Sequence, residues 1–339
     1  MTKDRATSTD VARRAGVSQS AVSRVFTPGA SASAAVKAKV MKAAEELGYR
    51  PNPIARAMIT GESRIIGLLV AYLDNQFYPL ALEKLSHALQ QRGYHILVFM
   101  VPQNDAGIDG VIQELMDYQV DGIITASVSM SNELTGLCQA AGIPVVLFNR
   151  GQDDARLSTV TSDNMAGGRA VANFLVAGGH ERIAHIAGWQ HSSTGRDRTA
   201  GLVAGLKDHG REPAAIVDGM YNRDTAAALA RDLFGRADRP DAVFVGNDHM
   251  AFAVMDVLRY ELGLSVPEDV SVVGYDDVPI AAWAAYDLTT IRQPVNRMVD
   301  ATVEALLSRI EGDTKPQRIL IAGSLMIRGS ARKPRVQKT

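Results

Sequence analysis

Cysteine is nearly absent from this chain of 339 residues, which has only Cys138. One cysteine excludes a disulfide framework and any cysteine-cluster metal site, and it suits a reducing compartment. Aromatic residues are sparse, at 6%, with two tryptophans. Long apolar runs are missing too. The longest, "IIGLLVAYL" at 65–73, has the length of a strand and falls well short of the ~18 residues that a membrane span needs. The opening "MTKDRATSTD" has no apolar stretch of the kind a secretory leader carries. These absences predict a cytoplasmic protein with no membrane partner. Enzyme signatures are also lacking. There is no phosphate-binding P-loop, no G-x-S-x-G elbow and no H-x-x-x-H pair, and Gly167-Gly168 is not a dinucleotide fingerprint. No metal, cofactor or catalytic residue is expected.

What is present is ordinary globular material, 46% hydrophobic and 22% charged. That length suits two or three domains. The net charge of −1 conceals an asymmetry. Residues 1–60 hold ten Lys and Arg against four Asp and Glu, a net +6, while the rest hold 26 against 33, a net −7. A basic head on an acidic body suggests a polyanionic partner for the head, although a basic terminus can also serve solubility alone.

The head reads as three helices. "TSTD" from Thr7 resembles a capping box, with Asp10 in place of the usual Glu or Gln. Val11, Ala12 and Ala15 then recur at helical spacing until Gly16, which ends the helix. Ser18 caps a second helix, "QSAVSRVF", with Ala21, Val22, Val25 and Phe26 as its apolar stripe. Two short helices joined by so tight a turn form a helix-turn-helix. A third runs from about 34 to 47, with Val36, Val40, Ala43, Ala44 and Leu47 inward and Lys37, Lys39 and Lys42 outward, and "GYRPNP" stops it. The outer face of the second helix presents Gln19, Ser20, Ser23 and Arg24. Arginine pairs bidentately with guanine and glutamine with adenine. A purely structural three-helix unit is the competing reading.

These residues, "DVARRAGVSQSAVSRVF…EELGYRPNPIARAM", resemble the headpiece of the lactose-repressor (LacI/GalR) family of transcription factors. The resemblance runs through the whole chain. It implies that Ser18 caps a recognition helix and that Gln19, Ser20 and Arg24 read bases, with Thr7 and Ser23 in the same DNA contact. Two departures are visible: Ala21 where the family usually has Thr, which would remove a phosphate contact, and Phe26-Thr27 where Leu-Asn is usual. In the family, the next segment is a hinge helix that folds on the operator. Here Asn52, Ala55 and Met58 would touch DNA, and Met58 would be the minor-groove wedge. Without the family, 52–63 would be a plain linker.

From Ile65, strands and helices alternate. Apolar runs at 65–73, 94–100, 122–127 and 145–149 form one series, and those at 182–188, 241–248 and 271–277 form another. Helical patterns near 78–92, 108–119, 131–141, 164–177, 196–209, 224–234 and 249–262 lie between them. This alternation predicts two doubly wound, parallel-sheet α/β subdomains, and the resemblance implies the periplasmic-binding-protein-like core. The expected division is a helix-turn-helix headpiece at 1–51, a hinge at 52–63, an effector-binding and dimerisation core at 64–330, and a basic, disordered tail at 331–339.

Ligands of such sheets gather at the carboxyl ends of the strands. The residues there are Asn75, Phe77, Tyr78, Asn149, Arg150, Trp189, Thr194, Arg198, Tyr221, Asp248 and Asp276. Aromatic faces with Arg, Asp and Asn suit a polar ring such as a sugar. By resemblance, Arg198 and Asp248 are the most regular effector contacts. Each has a bland alternative: Asp276-Asp277 could cap a helix starting near Pro279, and Arg198 could be a surface ion-pair partner. Trp283, Phe252 and His180 are expected to be structural. The expected protein is a homodimeric repressor of pseudo-palindromic double-stranded operator DNA, controlled by a small-molecule effector. Its rivals are a solute-binding protein and a sugar-processing enzyme with an appended DNA-binding domain.

Overall fold

In the computed structural model, residues 6–27, 30–50, 62–101, 108–128 and 130–334 are described. The chain divides into two compact units, Met1–Ser63 and Arg64–Thr339. The hinge residues Asn52, Ala55 and Met58 lie outside the described residues, as does the end of the tail at 335–339.

The first unit holds α1 (Ser8–Ala15), α2 (Gln19–Phe26) and α3 (Ala34–Leu47). The capping box is formed with aspartate. Asp10 N donates to Thr7 Oγ1 at 3.3 Å, and Thr7 N donates to Asp10 Oδ2 at 3.0 Å. Hydrogen bonding from Thr7 lowers the Asp10 pKa, with a smaller pull from Arg13. Gly16 closes α1 in the left-handed region, at φ 64°, which glycine adopts without steric cost. Ser18 then caps α2 through Ala21 N at 3.2 Å. Val11, Ala12, Val22, Val40, Ala43 and Ala44 make a small core that Phe26 and Tyr49 flank. Leu47, expected inside, is 39% exposed: it is the last residue of α3, and the chain turns at Gly48 immediately after it.

The second unit contains two six-stranded sheets. The first runs β11 (Arg318–Ile321), β5 (Ser158–Ser162), β4 (Val145–Phe148), β3 (Gly122–Ala126), β1 (Ile65–Val70), β2 (His95–Met100). The second runs β12 (Ser324–Met326), β10 (Thr289–Arg292), β9 (Ser271–Asp276), β8 (Ala242–Val245), β6 (Ile183–Ala187), β7 (Ala215–Asp218). All pairings are parallel except β10 with β12. Leu68 pairs with Val98 on one side and with Ile124 on the other.

Strand residues alternate between two buried faces, which is why the runs are apolar at every position. In the first sheet, Ile66, Leu68, Val70, Ile124 and Phe148 belong to one core with α4 (Phe77–Gln91) and α11 (Val295–Ile310). Leu69, Ile123, Val145 and Leu147 belong to the other, with α5 (Ile108–Asp117) and α6 (Asn132–Ala140). In the second sheet, Phe244, Val273 and Tyr275 meet α7 (Asn164–Ala177) and α8 (Ser193–Asp208). Ala184, Ile186, Val243 and Val245 meet α9 (Arg223–Phe234) and α10 (Asp248–Asp256).

The chain crosses between the subdomains three times: from β5 to α7, from β10 to α11 and from β11 to β12. The crossings lie side by side. Asp163 N donates to Ile321 O at 2.9 Å, and a Cβ on Gly323 would stand 2.7 Å from Arg292 O.

Three sequence expectations change. β5 has the sequence STVTS, so no apolar run announced it, and yet all five residues are buried. The basic tail is ordered at its start. Arg332 N donates to Ser271 Oγ at 2.9 Å, and the Arg332 guanidinium lies 2.8 Å from His180 Nδ1. Trp283 is 58% exposed and does not pack in the core, because it follows the 3-10 turn Pro279–Ala282 at the surface, whereas Phe252 is buried. That turn is not capped by Asp276 or Asp277.

Candidate functional site

In the first unit, Ser18, Gln19, Ser20, Ser23 and Arg24 are all exposed, as is Thr7. Their side chains are engaged only with near neighbours. Gln19 Nε2 donates to Ser8 Oγ at 3.0 Å, the Ser18 and Ser20 hydroxyls are 3.0 Å apart, and Arg24 Nε donates to Ser20 O at 3.3 Å. These are single, solvent-facing bonds that a stronger partner can replace at small cost. The surface therefore offers short polar groups and one guanidinium on a helix whose opposite face, through Val22, is fixed in the core.

In the second unit a cavity of about 220 Å3 opens between the two sheets at their strand ends. The first subdomain contributes Tyr72, Asn75, Tyr78 and Asn149, and the second contributes Thr194, Arg198, Tyr221, Asn247 and Asp276. Seven of the eleven effector candidates thus meet at one place.

Arg198 is 2% exposed and lies on α8, so it is not a surface ion-pair residue. Its Nε donates to Asn164 Oδ1 at 2.9 Å and Nη1 to Gly246 O at 2.6 Å. Nη2 stands 3.7 Å from Asp276 Oδ1, and the guanidinium lies 3.6 Å from the centre of the Tyr275 ring. Asp276 accepts from Gln293 Nε2 at 2.7 Å and from Asn75 Nδ2 at 3.4 Å. Burial pushes the Asp276 carboxyl above its ordinary range, and Arg198 pulls it back. Tyr221 reaches the cavity across Gly188: a Cβ there would fall 2.0 Å from the ring, so only glycine admits it. The Tyr221 hydroxyl donates to Thr194 Oγ1 at 3.0 Å.

Asn149 Nδ2 donates to the Tyr78 hydroxyl at 3.0 Å, and that hydroxyl also bonds Ser127 Oγ. Three lining residues hold positive φ: Asn149 at 69°, Tyr221 at 54° and Asp276 at 127°. Such strain gathers where a binding geometry has to be held.

Four candidates fall elsewhere. Asp248 is fully buried but turned away from the cavity. It begins α10, so its side chain folds back against the sheet, where Oδ1 accepts from Thr290 Oγ1 at 2.6 Å and Oδ2 from Val278 N at 3.0 Å. Burial, and then the negative charge of Asp276, raises its pKa. Phe77 sits beneath the cavity wall, stacked on Phe148 at 6.1 Å and edge-on to Tyr78. Arg150 donates to Ser127 O at 2.9 Å and covers Trp189 at 5.5 Å, a contact from one subdomain to the other beside the cavity. Conversely, Tyr72 and Asn247 line it and were not among the candidates. Asn247 was hidden by its neighbour: it caps α10 through Met250 N at 2.9 Å, and the residue before a helix, not the first one in it, faces the strand end. Tyr72 follows β1 within the run that the sequence presents as a strand.

Among the described residues, no group of three or more His, Cys, Asp and Glu side chains is placed to hold a metal, and no helix is long and apolar enough to cross a membrane.

Comparison with known proteins agrees with this architecture. Residues 7–52 match the family model "Bacterial regulatory proteins, lacI family", and residues 172–331 match "Periplasmic binding protein-like domain". The chain is 32% identical over 336 residues to the HTH-type transcriptional repressor PurR of Vibrio vulnificus (strain CMCP6), covering 97% of this chain and 99% of that one. Among solved structures it is similar to a complex of the transcriptional regulator CelR with cellobiose. The TM-score is 0.74 and identity 33%, covering 96% of this chain and all 100% of that one. It is similar also to the lac repressor dimer bound to operator and the anti-inducer ONPF, with a TM-score of 0.86 and 28% identity, covering 96% and 99%. The chain belongs to the lacI family of bacterial regulatory proteins.

Proposed function

We propose that the chain is a cytoplasmic, homodimeric transcriptional repressor. It reads a pseudo-palindromic operator through α2 and responds to a small polar effector, a sugar or related metabolite, held in the cavity between the subdomains. The observation that carries the reading is the cavity itself. Its wall is divided between two sheets joined by three adjacent crossings, so ligand affinity depends on how the halves are set. Gln19, Ser20 and Arg24 contact bases, Thr7, Ser18 and Ser23 position the helix, and Asn52, Ala55 and Met58 form the minor-groove contact. One helix-turn-helix reads a half-site, hence the dimer; the lac repressor relative is a dimer on its operator. In this reading the cavity binds and does not catalyse, in keeping with relatives that are transcriptional regulators.

The test is selection of bound duplexes from a random library by the full chain. A two-fold-related consensus with half-sites about one helical turn apart is expected. An unenriched library, or one enriched only for charge density, would refute it.

A further inference from the structure

The hydrogen bonds on the outer face of α2 differ in reach. Those between Ser18 and Ser20, and from Arg24 to Ser20 O, stay within α2 and its cap. One bond instead joins two helices: Gln19 Nε2 donates to Ser8 Oγ of α1 at 3.0 Å. Ser8 and Gln19 each open their helix, and each stands three residues before a fully buried valine, Val11 and Val22. Side chains three apart share a helix face. Both residues therefore sit beside the small core of the first unit, and the bond links two fixed supports. Ser8 is half-buried and Gln19 is exposed.

The bond also leaves Gln19 an edge with which to read. A glutamine amide carries two N–H donors and one carbonyl. One N–H goes to Ser8; among the described residues, the other N–H and Oε1 meet no partner. Adenine asks for that pair, a donor to its N7 and an acceptor for its N6 amino group. The contact with Ser8 can therefore persist while a base is read. A free glutamine must fix its side-chain torsions when it docks, and a tethered one has fewer left to fix. Preorganisation of this kind strengthens binding by lowering the ordering cost.

We infer that Ser8 is a positioning residue for base readout: from α1 it holds the Gln19 amide so that Gln19 reads adenine at one base pair of each half-site. Ser8 touches no base in this arrangement and acts only through Gln19. The inference rests on the reading of α2 as the helix that contacts bases.

The test uses the full chain and the duplex selected from a random library, with each base pair of the half-sites replaced in turn and affinities measured by titration. Gln19→Ala should lose about ten- to a hundredfold of discrimination at a single base pair, with adenine there in the selected duplex. Ser8→Ala should lose about three- to tenfold at that same pair and nothing elsewhere. Its thermal unfolding should match the wild type, since alanine is a good helix former and Thr7 still caps α1. Ser8→Thr, which keeps the hydroxyl, should restore the discrimination. In the Gln19→Ala background, Ser8→Ala should cost nothing further, because the tether then holds nothing. Full discrimination in Ser8→Ala overturns the inference, as does failure of Ser8→Thr to restore it. Equal loss at every position also overturns it, by making Ser8 a backbone contact, and so does a base other than adenine at the pair that Gln19→Ala affects. The outcomes separate the inference from the reading beneath it. Loss in Gln19→Ala without loss in Ser8→Ala removes the tether and keeps the base contact. No loss at any base pair in Gln19→Ala removes the base contact and the tether with it.

Discussion

Asp248 shows how a charged residue in a ligand-binding fold can serve the scaffold and leave the ligand to its neighbours. Its carboxyl is fully buried, bonded to Thr290 and Val278, and raised in pKa by burial and by the nearby Asp276. A carboxyl whose folded pKa exceeds its unfolded one binds more protons in the folded state, so stability falls as pH rises through that window. For Asp248 and Asp276 the window runs from the ordinary carboxylate range near 3.8 toward neutrality. His180, His185 and His249, whose pKa values burial lowers, act in the opposite sense below about 6.5, so the carboxyl contribution is read as a difference: Asp248→Asn should gain stability relative to the wild type as pH rises from about 5 to about 8. Urea midpoints of the wild type and the variant at the two pH values check this; a difference between them that does not change with pH would refute the assignment. Arg24 is the contrasting residue, exposed and held only by Ser20 O. Arg24→Ala should cost about 1–3 kcal/mol of discrimination at one base pair per half-site while leaving the fold intact. Retardation of operator and scrambled duplexes measures that ratio.

At the scale of elements, the α7–α8 pair is set by absent side chains. A Cβ on Gly201 would stand 2.2 Å from Met165 O, and one on Gly168 would stand 2.3 Å from Arg198 O, so the two helix backbones touch. Arg198 rides on this pair, and its reach to Asp276 depends on the spacing. Gly201→Ala should destabilise by about 1–3 kcal/mol, as overpacking does, and weaken effector binding with it. Gly136, in α6, has nothing within 4 Å of a built Cβ, and Gly136→Ala should stabilise by up to about 1 kcal/mol. Equilibrium unfolding of the two variants should thus move in opposite directions. The same elements mark what the sequence reveals. β1, β3, β4 and β8 are buried on both faces, so their continuous apolar runs are legible. β5 is as buried but is built from Ser and Thr beside the crossing, so pattern does not reveal it. α11 carries a clear helical period in Met298, Val299, Thr302, Val303, Leu306 and Leu307 but lies past the last strand that the alternation indicates. For the cavity, the strand-end rule finds the loops. It does not decide which of two adjacent residues, Asn247 or Asp248, turns inward, because the start of α10 sets that choice.

For the whole molecule, the question is how a ligand between the subdomains is felt beyond them, and the crossings give a physical route. Gln293 directly follows β10 at the second crossing; it is 3% exposed, its Nε2 donates to Asp276 Oδ1 at 2.7 Å, and its backbone N donates to Asp276 O at 3.2 Å. Asn164 directly follows the first crossing and accepts from Arg198 Nε. The cavity's ion pair is therefore fastened on both sides to the strands about which the halves would turn. Closure is recorded as well by contacts that span the cleft: Asn75 to Asp276, Gly151 N to Ser193 Oγ at 2.9 Å, and His249 to Asp74 at 3.7 Å. A ligand that re-forms the bonds of Asp276 biases the crossing only if Gln293 transmits the change. Gln293→Ala should keep effector affinity within about threefold, since Gln293 does not line the cavity. It should remove much of the coupling between effector and operator, which for such systems is about 1–3 kcal/mol. Effector titration of the variant, beside operator binding with and without effector, gives both quantities from one preparation. If operator affinity still shifts as in the wild type, the second crossing is a passive tether, and the coupling runs through Asn164 and the first.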